Sequence, residues 1–270
     1  MRQFHNSGQL PLVKPRQRVD KCKWKENIAS LAQTLGSLVV STRQGSFLSL
    51  DEGFASWRDL TMRLRENNRT IYLIGNGASA SMASHMAADL AKNAHIHTEV
   101  FTDLALITAI ANDLSFADVY AEPLRRRFKD DDMLVAISSS GNSANIVKSC
   151  QTAYDMGGSV VTLSAMDSDN KIRNWGDLNL WVPAASYGLA ETCHAAILHY
   201  WMDDIASMVQ GESIDRESRH TMREAPTNPE PSGSGPRTVH GGVRRPCTHG
   251  RQDAGAPPIG RGAPRRSKGR

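Results

Sequence analysis

The stretch that decides the fold is "TIYLIGNGASASMASHMAADL", residues 70–90. It runs from an apolar, β-branched segment through a loop of Gly, Asn and Ser into a helical pattern that carries His85 and Asp89. A helix start presents free backbone N–H groups and the positive end of the helix dipole, which together bind anions. The glycines allow a ligand to approach the backbone closely. The stretch therefore predicts a strand, an anion-binding loop and a helix, with phosphate as the obvious ligand.

A second stretch of the same kind is "MLVAISSSGNSAN", residues 133–145. Its four serines surround Gly141 and Asn142, so several hydroxyl donors converge on one small, multiply charged group. This pattern favours a sugar phosphate or another small phosphate ester. Two alternatives stay open from the residues alone. "GNGASA" fits the dinucleotide fingerprint, with Glu99 positioned 22 residues after Gly77 to bind a ribose; either loop could also be a structural turn.

The remaining pattern predicts an α/β fold. Continuous apolar runs suit parallel strands that are covered on both faces. Five such runs, mostly separated by helical patterns, predict a doubly wound five-stranded parallel sheet flanked by helices: 70–75, 97–101, 133–139, 159–164 and 178–182. Two N-terminal helices precede it, one bearing Ile28, Leu31, Leu35, Leu38 and Val39, the other capped by Asp51. A last helix is predicted around 188–209.

Composition divides the chain into an irregular segment 1–21, a folded domain 22–210 and a tail 211–270. The tail has 10 Gly, 8 Pro and 12 Lys or Arg with few large apolar side chains, so we expect it to be disordered. It carries a net charge of +6, leaving −2 of the chain's +4 for the rest. Nucleic acid is therefore an improbable partner of the domain. The four cysteines show no CxxC spacing, and no signal or membrane segment is evident, which predicts a cytoplasmic protein.

Four motifs together resemble the sugar isomerase (SIS) domain family, in its phosphoheptose isomerase branch: "GNGASASMASHMAADL", "LITAIANDLSFADVYAEPL", "AISSSGNSANIVKSC" and "GLAETCHAAILH". The resemblance implies an aldose-ketose isomerase that interconverts sedoheptulose 7-phosphate and D-glycero-D-manno-heptose 7-phosphate, for lipopolysaccharide, capsule or a secondary metabolite. It also implies a homotetramer with shared sites and one zinc ion per subunit. Related folds include a replication-initiation regulator, so a non-catalytic binding protein is the alternative, as is an isomerase of another phosphosugar.

The resemblance assigns roles position by position. The matching catalytic residues are Asp89 and His199. The matching substrate-binding residues are Asn76, Ser79, Asn112, Asp113, Ser138, Ser139, Ser140 and Ser143, and the matching metal ligands are His85, Asp89, Glu191 and His199. Three positions depart from the family: Asp89 replaces a usual glutamate, Glu191 a common glutamine, and Gly188 a frequent aspartate. His194 matches no role and is expected to be structural.

The spacing of these residues is compatible with one site. His85 and Asp89 are four residues apart and share a helix face, while Glu191 and His199 are eight apart and differ by about 80° around the last helix. Moving a proton between C1 and C2 of a sugar through an enediol requires a base, an acid and stabilisation of negative charge. Two imidazoles and two carboxylates could also hold a zinc ion that polarises the carbonyl.

Overall fold

The computed structural model describes residues 23–224, with side chains through residue 211. The strands are β1 Val39–Ser41, β2 Phe47–Leu48, β3 Thr70–Gly75, β4 His97–Glu99, β5 Met133–Ser138, β6 Ser159–Ala165 and β7 Leu178–Val182. The α-helices are α1 Trp24–Gly36, α2 Leu50–Glu66, α3 Ala78–Ala94, α4 Leu104–Asp113, α5 Ala121–Arg127, α6 Ala144–Asp155 and α7 Tyr187–Glu224. Short 3₁₀ helices cover Phe116–Asp118 and Lys171–Asn174.

The strands form one sheet in the order β2-β1-β7-β6-β5-β3-β4. The five strands from β7 to β4 are parallel, which confirms the predicted sheet. Two short antiparallel strands, β1 and β2, extend it beyond β7 and were not predicted. Assigning Leu38 and Val39 to the first helix was wrong: α1 ends at Gly36, and Val39 pairs with Trp181 in the sheet. The β-branched pair Val39 and Val40 fits a strand better than a helix.

The start of α2 also differs from the prediction. Ser49, and not Asp51, is the N-cap. Its hydroxyl accepts a hydrogen bond from the Glu52 amide, and the Glu52 carboxylate accepts one from the Ser49 amide at 2.9 Å. This reciprocal capping box satisfies two of the amides that a helix start leaves unpaired. Asp51 lies in the first turn, where its charge still favours the helix dipole.

Two apolar cores cover the faces of the sheet. On one face, α2, α3 and α7 pack against it, with Trp57, Met86, Leu90 and Trp201 among the buried side chains. On the other, α5, α6 and the 3₁₀ helices enclose a second cluster that includes Leu124 and Ile146. Burial on both faces explains why the central strands are apolar throughout. The carboxyl ends of the strands are thereby left at one edge, where ligands bind in such folds.

Helix α7 is anchored by two tryptophans. The rings of Trp57 and Trp201 stack 4.1 Å apart, and the Trp201 indole N–H donates to the Thr61 hydroxyl at 3.1 Å. The backbone of α7 continues through Glu224, past residue 211, where the disordered tail was expected to begin. Residues 1–22 and 225–270 lie outside the described part of the chain. Within residues 23–224, which the structure describes, none of the helices is long and apolar enough to cross a membrane.

Candidate functional site

The loop after β3 is shaped by two glycines. A Cβ on Gly75 would lie 2.5 Å from the backbone of Ser79, so only glycine lets the first turn of α3 pack against the strand end. Gly77 has φ +58° and ψ −123°, which side-chain-bearing residues rarely adopt, and no atom lies within 4 Å of the space above it. The Tyr120 hydroxyl fixes the loop from below by donating to the Gly75 carbonyl at 2.5 Å. The loop is therefore rigid and open on its outer side.

The loop after β5, residues 138–143, is here named the serine loop. Ser138 and Ser139 are 5% exposed, and the Gly141 amide donates to the Ser138 carbonyl at 2.9 Å, which closes a tight turn. Ser143 is the N-cap residue of α6, but its side chain makes no capping hydrogen bond. Within residues 23–211, the hydroxyls of Ser138, Ser139 and Ser143 have no hydrogen-bond partner in the protein. Hydroxyls and helix-start amides are thus available to a ligand.

The two loops are joined at one edge of the sheet. β3 and β5 are parallel neighbours with Gly75 opposite Ile137, so both loops leave the same end. The side-chain amides of Asn76 and Asn145 exchange two hydrogen bonds of 3.0 and 2.8 Å. Asn145 is 1% exposed and was not predicted as a site residue. Its position in the first turn of α6, directly after the serines, was the signal available in the sequence.

Asn112 and Asp113 lie in the last turn of α4 and are both exposed. The Asn112 amide donates to the Asp113 carboxylate at 2.8 Å. The segment after them is tied to α6, because the Lys148 ammonium contacts the Asp118 carboxylate at 2.7 Å. Hydrogen bonds from Lys148 and Ser115 hold the pKa of Asp118 below its usual range. An ion pair therefore joins α6, which follows the serine loop, to the 3₁₀ helix Phe116–Asp118 that follows Asn112 and Asp113 in the chain.

Three of the four predicted metal ligands form one group, here named the helix cluster: His85, Asp89 and His199. Each offers a ligand atom, and these atoms lie within 4.8 Å of one another. His85 Nε2 is 3.3 Å from Asp89 Oδ2, and the two imidazole rings are 5.3 Å apart between centroids. Asp89 also lies 4.0 Å from the Lys92 ammonium. Helices α3 and α7 thus bring together residues that are more than a hundred positions apart in sequence.

The donor set of the helix cluster fits a metal ion. Imidazole nitrogen and carboxylate oxygen are common ligands of zinc, and three protein ligands leave a position open for substrate. Glu191 does not join this group: it lies two helical turns before His199, a rise of about 12 Å. Gly188 lies in the first turn of α7, and a Cβ added there would meet no atom within 4 Å. Whether Glu191 is a ligand therefore remains a prediction.

His194 is buried and makes no hydrogen bond through either ring nitrogen. Burial lowers the pKa of His194 to about 4, so the ring is neutral at pH 7. The nearby Ser164 carbonyl opposes this shift, although it does not reach hydrogen-bonding geometry with the ring. His194 lies on the core side of α7, which agrees with a structural role.

The dinucleotide alternative required Glu99 for a ribose. Glu99 instead lies at the end of the edge strand β4, where its carboxylate accepts a hydrogen bond from Arg127 at 3.1 Å. The acidic side chain is thus already paired with a guanidinium. The structure gives no separate support to a nucleotide site at the first loop.

Comparisons with known proteins agree with this geometry. The SIS domain model matches residues 37–165. A phosphoheptose isomerase of Helicobacter pylori (strain P12) is 32% identical over 166 residues, which cover 59% of this chain and 86% of that protein. The chain belongs to the phosphoheptose isomerase family of SIS-domain proteins.

Further relatives support the same family. A phosphoheptose isomerase of Shewanella sp. (strain ANA-3) is 28% identical over 174 residues, covering 62% of this chain and 88% of the relative. The solved phosphoheptose isomerase GmhA of Neisseria gonorrhoeae superimposes with a TM-score of 0.59 at 27% identity, over 67% of this chain and 96% of that one. The predicted resemblance and fold class are thereby confirmed.

Proposed function

We propose that this protein is an aldose-ketose isomerase that interconverts sedoheptulose 7-phosphate and D-glycero-D-manno-heptose 7-phosphate. The observation that carries the proposal is the helix cluster, whose base-capable and acid-capable groups lie within 4.8 Å of one another. The serine loop supplies the complementary part, a set of unpaired hydroxyls and helix-start amides for the phosphate. Family membership supports both assignments.

In this proposal the phosphate lies against Ser138, Ser139, Ser140 and Ser143. Asn76, Ser79, Asn112 and Asp113 contact the sugar hydroxyls. Serine hydroxyls and amide N–H groups donate to phosphate oxygens, and a hydrogen bond to a charged group contributes about 1.5–3 kcal/mol. Binding the phosphate fixes the distance from the loop to the carbonyl end of the sugar. Holding the reacting carbons beside the proton-transfer groups in this way lowers the activation free energy of the reaction.

The proton-transfer groups are Asp89 and His199. The carboxylate of Asp89 accepts a proton from carbon, and the His199 imidazole donates a proton to the neighbouring oxygen, giving an enediol. Return of the carbon proton from Asp89 to the other carbon, with transfer of the remaining enediol hydroxyl proton to His199 as the new carbonyl forms, completes the isomerisation with no net change in composition. His85, Asp89 and His199 could hold a zinc ion, which when bound would polarise the carbonyl and stabilise the enediolate charge.

The active assembly in this proposal is a homotetramer with shared sites. His85 and His199 are exposed in the single chain, whereas proton transfer from carbon benefits from exclusion of water. Large apolar side chains in α4, in the segment that follows it and in α7 are also exposed: Leu104, Leu114, Phe116, Tyr187 and Tyr200. A second copy would cover both sets. The cytoplasm remains the predicted compartment and a nucleotide-activated heptose the predicted end product.

The test is turnover by the purified protein. Sedoheptulose 7-phosphate is incubated with the protein, with and without added zinc, and the aldose product is quantified. We expect product formation that Asp89→Asn and His199→Gln abolish, while Asp203→Asn and His97→Gln, which replace exposed residues of the same types, leave it unchanged. Absence of turnover in both metal conditions, with phosphosugar binding intact, would contradict catalysis and favour a binding protein.

A further inference from the structure

The serine loop is held by a neighbouring segment, residues 165–172, here named the supporting loop. The Ala165 amide donates to the Ser139 carbonyl at 3.0 Å, and the Ile172 amide donates to the Gly141 carbonyl at 3.0 Å. The Lys171 amide donates to the Asn142 side chain at 3.0 Å. Three hydrogen bonds from one segment therefore set the backbone path of the other.

Asn170 lies at the centre of this contact and is 1% exposed. Its side-chain N–H groups donate to the Asp167 carbonyl at 2.8 Å and to the Ser164 hydroxyl at 3.1 Å. Its Oδ1 atom has no hydrogen-bond partner within the described residues. That oxygen instead faces Gly141, where an added Cβ would lie only 2.0 Å away. The amide thus fills the space directly beneath the turn of the serine loop.

The Asn170 side chain fills this space with a buried amide whose oxygen is unpaired, which lowers the stability of the fold. A buried acceptor that is left without a partner destabilises the fold, and an apolar side chain would not have this effect. Two donated hydrogen bonds fix the orientation of the Asn170 side chain, and this orientation sets how closely Gly141 can approach. Gly141 has φ +61°, so the turn it makes depends on the contact surface beneath it.

We propose that Asn170 is a positioning residue that holds the serine loop in its phosphate-binding shape. This inference rests on the proposed function, in which the serine loop binds the phosphate. Removing the side chain lets the turn at Gly141 sink toward the vacated space. The hydroxyls and amides of the loop then no longer converge on one point. The chemistry at the helix cluster is not altered by this change.

The first experiment compares Asn170→Ala with wild type. We expect KM for sedoheptulose 7-phosphate and the dissociation constant for inorganic phosphate to rise together, each about tenfold, while kcat stays within about twofold. Asn179→Ala is the matched control: Asn179 is also 1% exposed and bonded to Thr162 and Gly176, but its side chain fills the space beside Gly176 and not the space beneath Gly141. Both variants should lower Tm, and only Asn170→Ala should weaken phosphate binding.

A double-mutant cycle adds a test that does not depend on stability. Gly141→Ala should weaken phosphate binding strongly in wild type, because the new Cβ meets Asn170. The same change should cost less in the Asn170→Ala background, where the contacts with Oδ1 at 2.0 Å and Cγ at 2.2 Å are removed and only the contact with Cβ at 2.7 Å remains. If Asn170→Ala does not fold, Asn170→Ser replaces it, since the shorter uncharged side chain also leaves the space beneath Gly141 empty; a rise of similar size is expected.

The outcomes separate the two proposals. If wild type neither binds inorganic phosphate nor turns over the substrate, the proposed function fails and this inference fails with it. If wild type binds phosphate and Asn170→Ala binds equally well, the positioning role alone is overturned. An equal loss of phosphate affinity in Asn179→Ala would also overturn it, because general loosening of the fold would then be the cause.

Discussion

The serine loop and the helix cluster differ in how their geometry is maintained. In the serine loop, strand ends, a helix start and a supporting loop fix mostly buried groups through backbone hydrogen bonds. In the helix cluster, the functional atoms are at the ends of side chains on α3 and α7, and two of the three residues are exposed. The difference suggests a division of labour, in which a preformed loop binds the phosphate and an adaptable cluster moves protons.

The largest expected effect belongs to the helix cluster. Asp89→Asn keeps the size of the side chain but removes its ability to accept a proton, so we expect kcat to fall about a thousandfold. KM should change little, because the phosphate contacts are intact. Steady-state kinetics of the variant measure both values, with Asp203→Asn as the control. A rise in KM with unchanged kcat would place Asp89 in binding and not in proton transfer.

The next effect concerns stability and contrasts two histidines of α7. His194 is buried with a pKa of about 4, while its unfolded pKa is about 6.5. Above pH 6.5 the His194 ring is neutral in both the folded and the unfolded chain, so it does not reduce the free energy of unfolding. As the pH falls from 6.5 to 4, His194 binds a proton in the unfolded chain but stays neutral in the folded one. The free energy of unfolding therefore decreases by about 3 kcal/mol. Below pH 4 this contribution is already lost.

Urea unfolding at pH 7 and pH 5 measures this dependence. His194→Leu should flatten it, and His97→Leu, at an exposed position, should leave it as in wild type. An unchanged slope in His194→Leu would mean that other groups cause the acid sensitivity. The result also distinguishes the two faces of α7, since His194 lies on its buried face and His199 on its exposed face.

The sequence predicted the sheet better than it predicted the site. The parallel strands were recognisable because burial on both faces makes them apolar throughout, whereas β1 and β2 are only three and two residues long and leave no such pattern. The residues of the helix cluster were found through motifs. Asn145 directly follows the serine loop, which was a signal of its position, but its hydrogen bonds with Asn76 join two loops that lie far apart in sequence. Asn170 was missed because no local pattern encodes its hydrogen bond to Ser164 beneath the serine loop. Tertiary hydrogen bonds of this kind become visible only in the folded structure.

A pair of serines offers a finer test of the serine loop. Ser49 and Ser143 are both N-cap residues, but only Ser49 uses its side chain for capping. Ser49→Ala should therefore lower the free energy of unfolding by about 1 kcal/mol and leave phosphate affinity unchanged. Ser143→Ala should do the reverse: about a tenfold or greater loss of phosphate affinity, with little change in stability.

Denaturant unfolding and calorimetric titration with inorganic phosphate measure the two quantities on the same pair of variants. A nearly neutral effect of Ser143→Ala on folding, with weakened phosphate binding, would mean that the Ser143 hydroxyl serves a ligand and not α6. If Ser143→Ala destabilises the fold as much as Ser49→Ala and binds phosphate normally, the hydroxyl has a structural role, and the helix-start amides alone would have to account for anion binding.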